Sequence, residues 1–349
     1  MLNPGTLLQG RYKIERLLGQ GGMSTVYLAD HIRLGRKVAL KALQPVDIRQ
    51  QQAHFEQLEF EARIMASLAH PNLAWVLDFF FEERLPYLVM EFIDGRNLQQ
   101  IAELAPKPLS QRRVLEFAGQ LLDVLEYLHS ATPPVIVRDL KPSNVMMDGN
   151  KRLRLIDFGL AKSLAPGQGT RPLVKGMGSP GYAPLEQYGR TQTTDVRSDI
   201  YALGATLLFL LTDLAPPQAT LRAANKTPLL DPRTVNESVS PELWKALQAM
   251  LEIEARNRPA SIQAVRALLF PPLPPLPTAA EAPRNCPVCS KPLQRNKQKL
   301  VEVDVCPTCQ GLWLDRGELE QLVEASQIYP APPGSKKRTL WQHLLDLLK

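Results

Sequence analysis

The stretch IVRDLKPSN, residues 136–144, decides the fold. Within six residues it places a carboxylate, an ammonium group and a carboxamide, on Asp139, Lys141 and Asn144. The β-branched run before it, residues 134–137, predicts a strand that ends in a loop. Asp139 can accept a hydroxyl proton, Lys141 can neutralise a phosphate, and Asn144 can offer an oxygen to a divalent cation. The stretch therefore predicts a reaction centre.

A second carboxylate follows shortly afterwards. The stretch IDFGLA, residues 156–161, places Asp157 after another apolar run, and Gly159 permits a sharp turn there. Hard cations such as Mg²⁺ prefer oxygen ligands from a few protein groups together with substrate phosphates. Asn144 and Asp157 fit that role, so the sequence predicts a magnesium site.

Three features nearer the N-terminus fit phosphate chemistry. Residues 18–29, LGQGGMSTVYLA, place glycines between two strand-like runs, where the backbone can approach phosphates, although a plain hairpin turn has the same pattern. Lys41 lies in the apolar strand-like run 38–43 and faces either a cleft or solvent. Glu61 lies in a helical pattern over 51–68, where a solvated glutamate is the alternative. Each feature alone is weak.

Composition sets the broad class. The 349 residues are 44% hydrophobic and 22% charged, which is ordinary for a globular protein. No window reaches the roughly 18 uncharged apolar residues of a membrane span, and the N-terminus does not resemble a signal peptide. We therefore expect a cytoplasmic protein without a transmembrane span. The net charge of +6 is too modest to indicate nucleic-acid binding by itself.

The chain changes character at residues 270–283, FPPLPPLPTAAEAP. Six prolines in this run predict an extended, semi-rigid spacer and a domain boundary. Upstream of it, short strand-like runs dominate the first part, and helical patterns dominate after residue 110. This order predicts two lobes of different class with a cleft between them.

Downstream of the spacer, four cysteines form two C-x₂-C pairs separated by 16 residues. They are Cys286, Cys289, Cys306 and Cys309. In a cytoplasmic chain this spacing predicts a metal site rather than disulfides, and four thiolates suit a closed, structural Zn²⁺ site. A redox dithiol or an iron–sulfur site is the alternative. Residues 300–305 alternate like a strand, and 311–324 predict entry into a helix.

Taken together, these motifs resemble those of the eukaryotic-type protein kinases: the glycine turn, the strand lysine, the helical glutamate, RDLKPSN and DFG. The residues within the motifs resemble the bacterial Ser/Thr branch of that family. Five further stretches agree with this resemblance: HPN (70–72), VMEFIDG (89–95), GSPGYAPLEQY (178–188), DVRSDIYALG (195–204) and ARNRPA (255–260). The resemblance covers residues 11–270. It implies an α+β, two-lobed kinase fold, with an antiparallel β N-lobe plus one helix and a mainly α C-lobe.

The cysteine module, residues 286–325, resembles the zinc ribbons associated with transcription factors. The implied organisation is a kinase domain, a Pro-rich linker over 271–285, this ribbon, and a tail over 326–349. The ribbon carries five basic and six acidic residues, and a zinc ion with four thiolates adds two negative charges. Nucleic acid is therefore an unfavourable partner, and a protein-interaction role is expected.

The kinase resemblance implies transfer of the γ-phosphate of Mg-ATP to protein Ser or Thr hydroxyls. Asp139 would be the catalytic base, Lys141 would contact the γ-phosphate, and Lys41 would hold the α- and β-phosphates. The magnesium ligands would be Asn144 and Asp157. The residues expected around ATP are Leu18, Gly19, Gln20, Gly21, Gly22, Val26, Ala39, Lys41, Glu61, Met90, Glu91, Ile93 and Met146.

The resemblance also implies supporting contacts, and the chain departs from the family in a few places. Asp199 is expected to anchor the catalytic loop, and Glu186 to pair with Arg258. Val137 replaces the usual His before Arg-Asp, and Leu185 replaces the Pro of Ala-Pro-Glu. Because every residue expected to touch phosphate, metal or hydroxyl is present, we expect an active kinase. A pseudokinase scaffold and a nucleic-acid-binding regulator acting through the ribbon are the alternatives.

Two further expectations concern regulation and the tail. Arg138, beside Asp139, would await a phosphate on the activation loop, and Thr170 is the candidate phosphosite within residues 160–182. The tail sequence TLWQHLLDLLK, residues 339–349, predicts a short amphipathic helix preceded by basic residues. It either docks on its own chain or meets a protein partner or a membrane surface.

Overall fold

The computed structural model describes residues 1–21, 24–43, 59, 62–83, 85–132, 134–156, 162–163, 179–188, 194–271, 285–298 and 301–314. The predictions made for Gly22, Glu61, Asp157 and Thr170, and for the tail, lie outside these residues. The chain divides into two compact units, Met1–Pro271 and Pro272–Lys349.

The first unit opens with a six-stranded sheet whose neighbouring strands all pair antiparallel. Its strands are β1 (Leu7–Leu8), β2 (Tyr12–Gln20), β3 (Ser24–His31), β4 (Arg36–Leu43), β5 (Val76–Glu82) and β6 (Leu85–Glu91). Their order across the sheet is β1-β2-β3-β4-β6-β5. Residues 62–67 are helical and follow the sheet's fourth strand along the chain.

Strand β4 separates two environments because successive side chains of a strand point to opposite faces. Val38 and Leu40 are fully buried in the sheet's own apolar core. Lys41 lies on the other face, directly across from Val26 of β3 and Leu88 of β6. Leu88 belongs to the core of the helical part that follows. Lys41 is therefore held between the sheet and the helices.

The rest of the unit is mainly helical. Its helices are α1 (Leu98–Glu103), α2 (Gln111–His129), α3 (Val196–Thr212), α4 (Ala219–Ala223), α5 (Pro241–Met250) and α6 (Ile262–Leu269). In α2 the buried residues recur at helical spacing, as Val114, Phe117, Leu121 and Leu125 illustrate. Among the helices that the structure describes, none is long and apolar enough to cross a membrane.

Helix α3 forms the centre of this helical part. Every residue from Ser198 to Thr212 is buried, so neighbours cover the helix on all sides. The side chain of Asp195 caps its first turn by accepting a hydrogen bond from the Arg197 amide. Gly204 lets α5 approach closely, since a Cβ there would lie 3.0 Å from the Cβ of Met250. A helix enclosed in this way can hold polar groups in fixed positions.

Short strands frame the loop that contains the polar residues of 136–144. Strand β8 (Val135–Ile136) enters the loop and pairs with β11 (Lys162–Ser163). Strand β9 (Val145–Asp148) leaves it and lies between β7 (Gly95–Asn97) and β10 (Leu153–Leu155). Both ends of the loop are thus fixed by backbone pairing.

A buried ion pair ties the segment 179–188 to the helices. Arg258 donates two hydrogen bonds to the Glu186 carboxylate, at 2.6 and 3.1 Å, and three more to backbone carbonyls. The Arg258 side chain is inaccessible to solvent. Its guanidinium also lies 4.9 Å from the centre of the Tyr201 ring on α3. This is the pairing predicted from the sequence.

The second unit contains a small antiparallel sheet. Its strands are β12 (Gln294–Gln298), β13 (Val301–Val305) and β14 (Leu312–Trp313), with β13 in the centre. Val303 is buried and contacts Val305, Leu312 and Leu314. The alternating pattern of 300–305 thus predicted β13 correctly. Leu312 and Trp313 form a strand rather than the helix expected from residue 311 onwards, because they pair with Val305 and Asp304.

Replacing Arg258 by Met should lower the free energy of unfolding by about 3–5 kcal/mol, because Glu186 would remain buried as an unpaired charge. Urea unfolding of both proteins measures the change. The control is Arg266→Met, which removes a partly exposed partner of Asp123 and Glu126 and should cost under about 1 kcal/mol. Equal losses in the two variants would contradict the role assigned to the buried pair.

Candidate active site and metal centre

The loop after β8 turns sharply at Arg138. The Asp139 amide donates a hydrogen bond to the Val137 carbonyl at 2.9 Å, which closes a three-residue turn. Arg138 at its centre has a φ of +65°, a left-handed conformation that non-glycine residues rarely adopt. Such a conformation costs on the order of 1–3 kcal/mol and persists only where the surroundings impose it.

Asp199 on α3 imposes this turn. Its carboxylate accepts the amide N–H of Val137 at 2.8 Å through Oδ2 and that of Arg138 at 2.8 Å through Oδ1. His129 Nε2 lies 2.8 Å from the same Oδ2. Asp199 is 0% exposed, so its charge is balanced by these hydrogen bonds instead of water. The predicted anchoring contact is present.

The turn brings Asp139 into a cluster of polar side chains. Its Oδ1 accepts the hydroxyl of Ser179 at 2.6 Å, and its Oδ2 lies 2.8 Å from Lys141 Nζ. Lys141 also donates to the Ser179 hydroxyl at 2.7 Å. Three residues from two segments therefore form a closed triangle of hydrogen bonds around one carboxylate.

Asn144 completes the cluster from a single helical turn, Pro142–Asn144, that closes the loop. Its amide nitrogen donates to the Asp139 carbonyl at 2.8 Å and to Asp139 Oδ2 at 3.0 Å. In this orientation the amide oxygen points away from Asp139. A hard cation would bind this oxygen. Asp139, Lys141 and Asn144 thus lie together as the sequence predicted.

Val137 occupies the place where a polar residue was possible. Its side chain is 0% exposed and belongs to the main apolar core, while only its backbone takes part in the turn. An apolar residue satisfies this position because the polar anchoring comes from Asp199. The departure at Val137 leaves the cluster around Asp139 intact.

Three of the predicted nucleotide residues, Val26, Ala39 and Met90, lie on the face of the sheet that carries Lys41. Ala39 lies across from Met90 of β6, and Val26 lies across from Lys41. Met90 and Ile93 are buried, and Met146 lies in β9 across from Arg154. Their role around a nucleotide stays a prediction.

The glycine-containing turn joins β2 to β3. The Gly21 amide donates to the Ser24 carbonyl at 2.9 Å, and Gly19 pairs with Val26. A Cβ on Gly19 would meet no atom within 4 Å among the residues that the structure describes. Space for a ligand group therefore lies above this backbone. Leu18 and Gln20 flank Gly19 in β2.

Glu91 is held where the sheet connects to the helical part. Its carboxylate forms an ion pair with Arg154 of β10, and its amide donates to the Trp75 carbonyl at 2.9 Å. Arg154 is charged, yet it is buried within an otherwise apolar strand. The pair joins the last strand of the sheet to the strand that precedes Asp157.

In the second unit, the two C-x₂-C pairs form matching knuckles. Ser290 and Gln310, each directly after the second cysteine of its pair, have φ values of +57° and +55°. In each knuckle the first cysteine's carbonyl accepts the amide of this residue, at 2.7 and 2.9 Å. The repeated conformation directs both pairs of thiols toward one point.

The four thiols fit a zinc ion. All Sγ atoms lie within 4.8 Å of one another, with 3.5 Å between Cys286 and Cys309 and 3.3 Å between Cys289 and Cys306. Zinc held by four thiolates at about 2.3 Å requires sulfurs about 3.8 Å apart in a tetrahedron. Shifts of about 1 Å or less in these side chains satisfy that geometry.

Backbone amides prepare the thiols for a metal. The Cys309 amide donates to Cys306 Sγ at 3.5 Å, and this hydrogen bond is the largest of several that together lower the pKa of Cys306 to about 6 against the opposing effect of burial. The backbone hydrogen bond from Gly311 lowers the pKa of Cys309, but hydrogen bonds shared with the Cys306 and Cys286 thiols outweigh it and raise that pKa to about 12. Zinc would replace the shared protons.

Comparison with known proteins decides the family. Residues 12–270 match the family model of the protein kinase domain. The chain belongs to the protein kinase family. The predicted two-lobed kinase fold is therefore confirmed. Residues 285–325 match the family model of the transcription factor zinc-finger, which agrees with the four converging thiols and confirms the predicted zinc-ribbon module.

Bacterial serine/threonine-protein kinases are among the relatives of this chain. Serine/threonine-protein kinase PknB of Mycolicibacterium smegmatis is 33% identical over 273 residues, which are 75% of this chain and 43% of the relative. Serine/threonine-protein kinase pkn2 of Myxococcus xanthus is 34% identical, covering 75% and 32%. The DNA damage-responsive serine/threonine-protein kinase RqkA of Deinococcus radiodurans is 34% identical, covering 74% and 39%. The chain thus spans less than half the length of these relatives.

Solved kinase structures share the fold. The apo form of PpkA-294 superposes with a TM-score of 0.61 at 24% identity, covering 77% of this chain and 99% of that one. The PknI kinase domain of Mycobacterium tuberculosis gives a TM-score of 0.59 at 24% identity, with 77% and 98% covered. The predicted bacterial serine/threonine branch is confirmed by the relatives.

Some residues of the kinase site were not found from the sequence. His129 ends an amphipathic helix, and a histidine in the last turn is an ordinary surface feature, so nothing marked it. Arg154 had a usable signal, since a charged residue inside the apolar run 153–156 requires a partner. Ser179 lies within the motif GSPGYAPLEQY, but its hydrogen bond to Asp139 joins two segments that are 40 residues apart, so no local pattern indicated it.

Removing zinc from the ribbon should unfold residues 285–314 locally and leave the kinase unit folded. We expect one zinc ion per chain, lost in Cys306→Ser, and weaker binding as the pH falls because thiolates are the ligands. Trp313 lies close enough to the site to serve as a fluorescent probe. A Cβ on Gly311 would lie 3.4 Å from Cys309 Sγ and 3.6 Å from Trp313 Nε1, so the indole and this thiol are near neighbours. Chelation should change tryptophan fluorescence in the wild type.

The control for this measurement is Trp313→Phe, in which chelation should leave the fluorescence of the remaining tryptophans unchanged. Metal analysis of the purified chain gives the stoichiometry. A native chain that contains no zinc, or that keeps it after Cys306→Ser, would contradict the four-thiolate site.

Proposed function

We propose that this chain is an ATP-dependent serine/threonine protein kinase that transfers the γ-phosphate of Mg-ATP to protein Ser or Thr hydroxyls in bacterial signalling. The observation that carries the proposal is the cluster around Asp139, where a carboxylate, an ammonium and a carboxamide meet within 3.0 Å. The names of the curated relatives support the same reaction and the choice of Ser or Thr.

Asp139 is proposed as the base. A carboxylate that accepts a hydroxyl at 2.6 Å, as Asp139 does from Ser179, has the geometry needed to orient a substrate hydroxyl and to take its proton. Transfer then forms a bond between that oxygen and the γ-phosphorus while the bond to ADP breaks. The turn at Arg138 sets the direction in which this carboxylate points.

The two lysines are proposed to neutralise phosphate charge. Lys141 lies 2.8 Å from Asp139, so it can stabilise negative charge on the transferred group beside the attacking oxygen. Lys41 is buried on the sheet face that is turned toward the helical part, where it can hold the α- and β-phosphates. Its proposed partner Glu61 lies outside the described residues.

Asn144 and Asp157 are proposed to hold Mg²⁺. The bound ion supplies positive charge that offsets the charge of the phosphates. Asn144 is 7% exposed, and the hydrogen bonds from its amide nitrogen orient the carboxamide. The proposed ATP-binding set is Leu18, Gly19, Gln20, Gly21, Gly22, Val26, Ala39, Lys41, Glu61, Met90, Glu91, Ile93 and Met146.

The proposed domain organisation is a kinase domain over 11–270, a linker over 271–285, a zinc ribbon over 286–325 and a tail over 326–349. The ribbon is proposed to bind structural Zn²⁺ through its four cysteines and to contact a protein partner rather than nucleic acid, because its net charge is negative. The tail helix is a second candidate for a protein contact. A cytoplasmic location completes the proposal.

Asp139→Asn should lower the rate of phosphoryl transfer at least about 100-fold, because the amide keeps the size of the carboxylate but not its basicity. Lys41→Met should have a loss of the same order, because a phosphate contact disappears. Transfer from labelled ATP to the chain itself and to a general protein substrate, with and without Mg²⁺, measures both. A wild type no more active than the variants would exclude the kinase and favour the nucleotide-binding scaffold.

Gly19→Val should weaken nucleotide binding without loss of stability. A Cβ at this position would meet no atom of the described residues within 4 Å, so the new side chain can extend into the space proposed for the phosphates. We expect an ATP dissociation constant raised about 10-fold or more in calorimetry, with an unchanged thermal midpoint. The matched control is Gly35→Asn, at a turn with a φ of +61° on the far side of β3 and β4, which should leave binding unchanged. Unweakened binding to the Gly19 variant would remove this turn from the phosphate site.

Phosphorylation of Thr170 is proposed to activate the kinase. A phosphate there would gain charge-assisted hydrogen bonds to Arg138, whose backbone forms the turn beside Asp139. We expect mass spectrometry of active protein to find phosphate on Thr170, and Thr170→Ala to lower activity. Ser163→Ala is the control within the same segment. Unmodified Thr170 in fully active protein would contradict the assignment.

A further inference from the structure

One contact to the turn at Arg138 has no part in the roles proposed above. The side-chain amide of Gln187 donates a hydrogen bond from Nε2 to the Arg138 carbonyl at 3.0 Å. Gln187 lies 49 positions further along the chain and is only 9% exposed. A buried carboxamide from a distant segment therefore contacts the backbone directly before Asp139.

A single helical turn, Leu185–Gln187, places this carboxamide. The backbone amide of Gln187 closes the turn by donating to the Pro184 carbonyl at 3.1 Å. The neighbouring Glu186 is paired with Arg258 inside the helical part. The backbone that carries the carboxamide is therefore held in place by contacts of its own.

The peptide group between Arg138 and Asp139 is held at both of its polar atoms. Its N–H, on Asp139, donates to the Val137 carbonyl at 2.9 Å, and its carbonyl, on Arg138, accepts from Gln187. Because a peptide group is planar, these two hydrogen bonds fix the orientation of one rigid unit. That unit is attached directly to the Cα atom of Asp139, so its orientation influences the direction of the carboxylate.

The neighbouring peptide groups have other supports. The carboxylate of Asp199 accepts the N–H groups of the two preceding peptide groups, and the amide nitrogen of Asn144 donates to the carbonyl of the following one. Gln187 thus supports a different peptide group from those that Asp199 and Asn144 support.

Loss of the Gln187 donor would free a strained backbone to rotate. A turn closed between residues i and i+2, with a φ of +65° at its centre, is rare and costly. Such a conformation persists only while its surroundings impose it. A carbonyl that loses its donor in a partly buried place has to find another partner. Rotation of the peptide group would supply one, and it would move the Asp139 carboxylate as well.

The segment that carries Gln187 also contacts the side chain of Asp139. The Ser179 hydroxyl donates to Asp139 Oδ1 at 2.6 Å. The segment 179–188 therefore reaches the carboxylate directly through Ser179 and the peptide group before it through Gln187. The placement of this segment and the direction of the carboxylate are linked at two points.

We propose that Gln187 is a positioning residue for phosphoryl transfer, which rests on the proposed kinase function. Its carboxamide holds the peptide group before Asp139 in the orientation that directs the carboxylate toward an acceptor hydroxyl. It also makes that orientation depend on the placement of the segment 179–188.

Two substitutions of Gln187 separate the donor from packing. Gln187→Met keeps the length of the side chain and removes the donor. In Gln187→His the ring nitrogen Nε2 can reach the place of the amide nitrogen, so a donor is kept. Gln187→Met should lower kcat about 10-fold with KM for ATP within about twofold of wild type, and Gln187→His should keep kcat within about threefold. A wild-type kcat in Gln187→Met, or equal losses in both variants, would overturn the proposal.

A stability control separates positioning from general weakening. Thr212 lies at the far end of α3, about 20 Å from Asp199 at 1.5 Å per residue, and its hydroxyl donates to the Leu208 carbonyl at 2.8 Å. Thr212→Ala removes a buried hydrogen bond without touching the loop or the segment 179–188. It should lower the thermal midpoint and leave kcat, measured below that midpoint, unchanged. A kcat loss there equal to that of Gln187→Met would show that lost stability alone lowers kcat, and would overturn the proposal.

Hydrogen exchange tests the same contact without catalysis, at single amides. The Asp139 amide should exchange at least about fivefold faster in Gln187→Met than in wild type or Gln187→His, because its peptide group loses one of two hydrogen bonds. The amides of Val137 and Arg138, which Asp199 accepts, should change less than about twofold. If the wild type transfers no phosphate, the proposed function fails, yet this comparison still tests the inference. Unchanged exchange at Asp139, or equal acceleration at all three amides, would overturn it whatever the activity.

Discussion

The carboxylate of Asp199 is the group on which the reaction centre depends. It is fully buried, and it accepts the amides of Val137 and Arg138, the first two residues of a turn with a φ of +65° at Arg138. Hydrogen bonds to a charged group contribute about 1.5–3 kcal/mol each, which is enough to offset the roughly 1–3 kcal/mol of strain at such a residue. The position of the Asp139 carboxylate follows from that balance.

Helix α3 makes this possible because neighbours enclose it completely. In its first turn, Asp199 accepts a hydrogen bond from the Val137 amide, and Ser198 donates one to the carboxylate of Glu186. Tyr201, one turn further, lies under the guanidinium of Arg258. The loop that contains Asp139 and the segment that contains Ser179 are therefore both hydrogen-bonded to the same buried helix. This shared attachment holds Ser179 close to Asp139.

The local parts of this site were predictable from sequence, and the long-range parts were not. Asp139, Lys141 and Asn144 lie within one short loop, so their spacing alone indicated that they meet. The C-x₂-C pairs were equally informative, since each knuckle is closed by its own backbone. His129 and Arg154 act on partners far away in the chain, and no local pattern encodes such pairs. The prediction of a helix at Leu312–Trp313 was wrong for the same reason, because pairing with β13 overrides the helical pattern.

The sequence distances within the catalytic loop's supports also bear on how the protein is made. Val137 and Arg138 lie 62 and 61 residues before Asp199, and Glu186 lies 72 residues before Arg258. Ribosomes add residues from the N-terminus, and domains fold as units once enough chain has emerged. A nascent chain therefore exposes its glycine turn, Lys41 and Asp139 long before the turn at Arg138 can close. The contacts that fix the turn at Arg138 and the segment at Glu186 therefore form only after Asp199 and then Arg258 have left the ribosome.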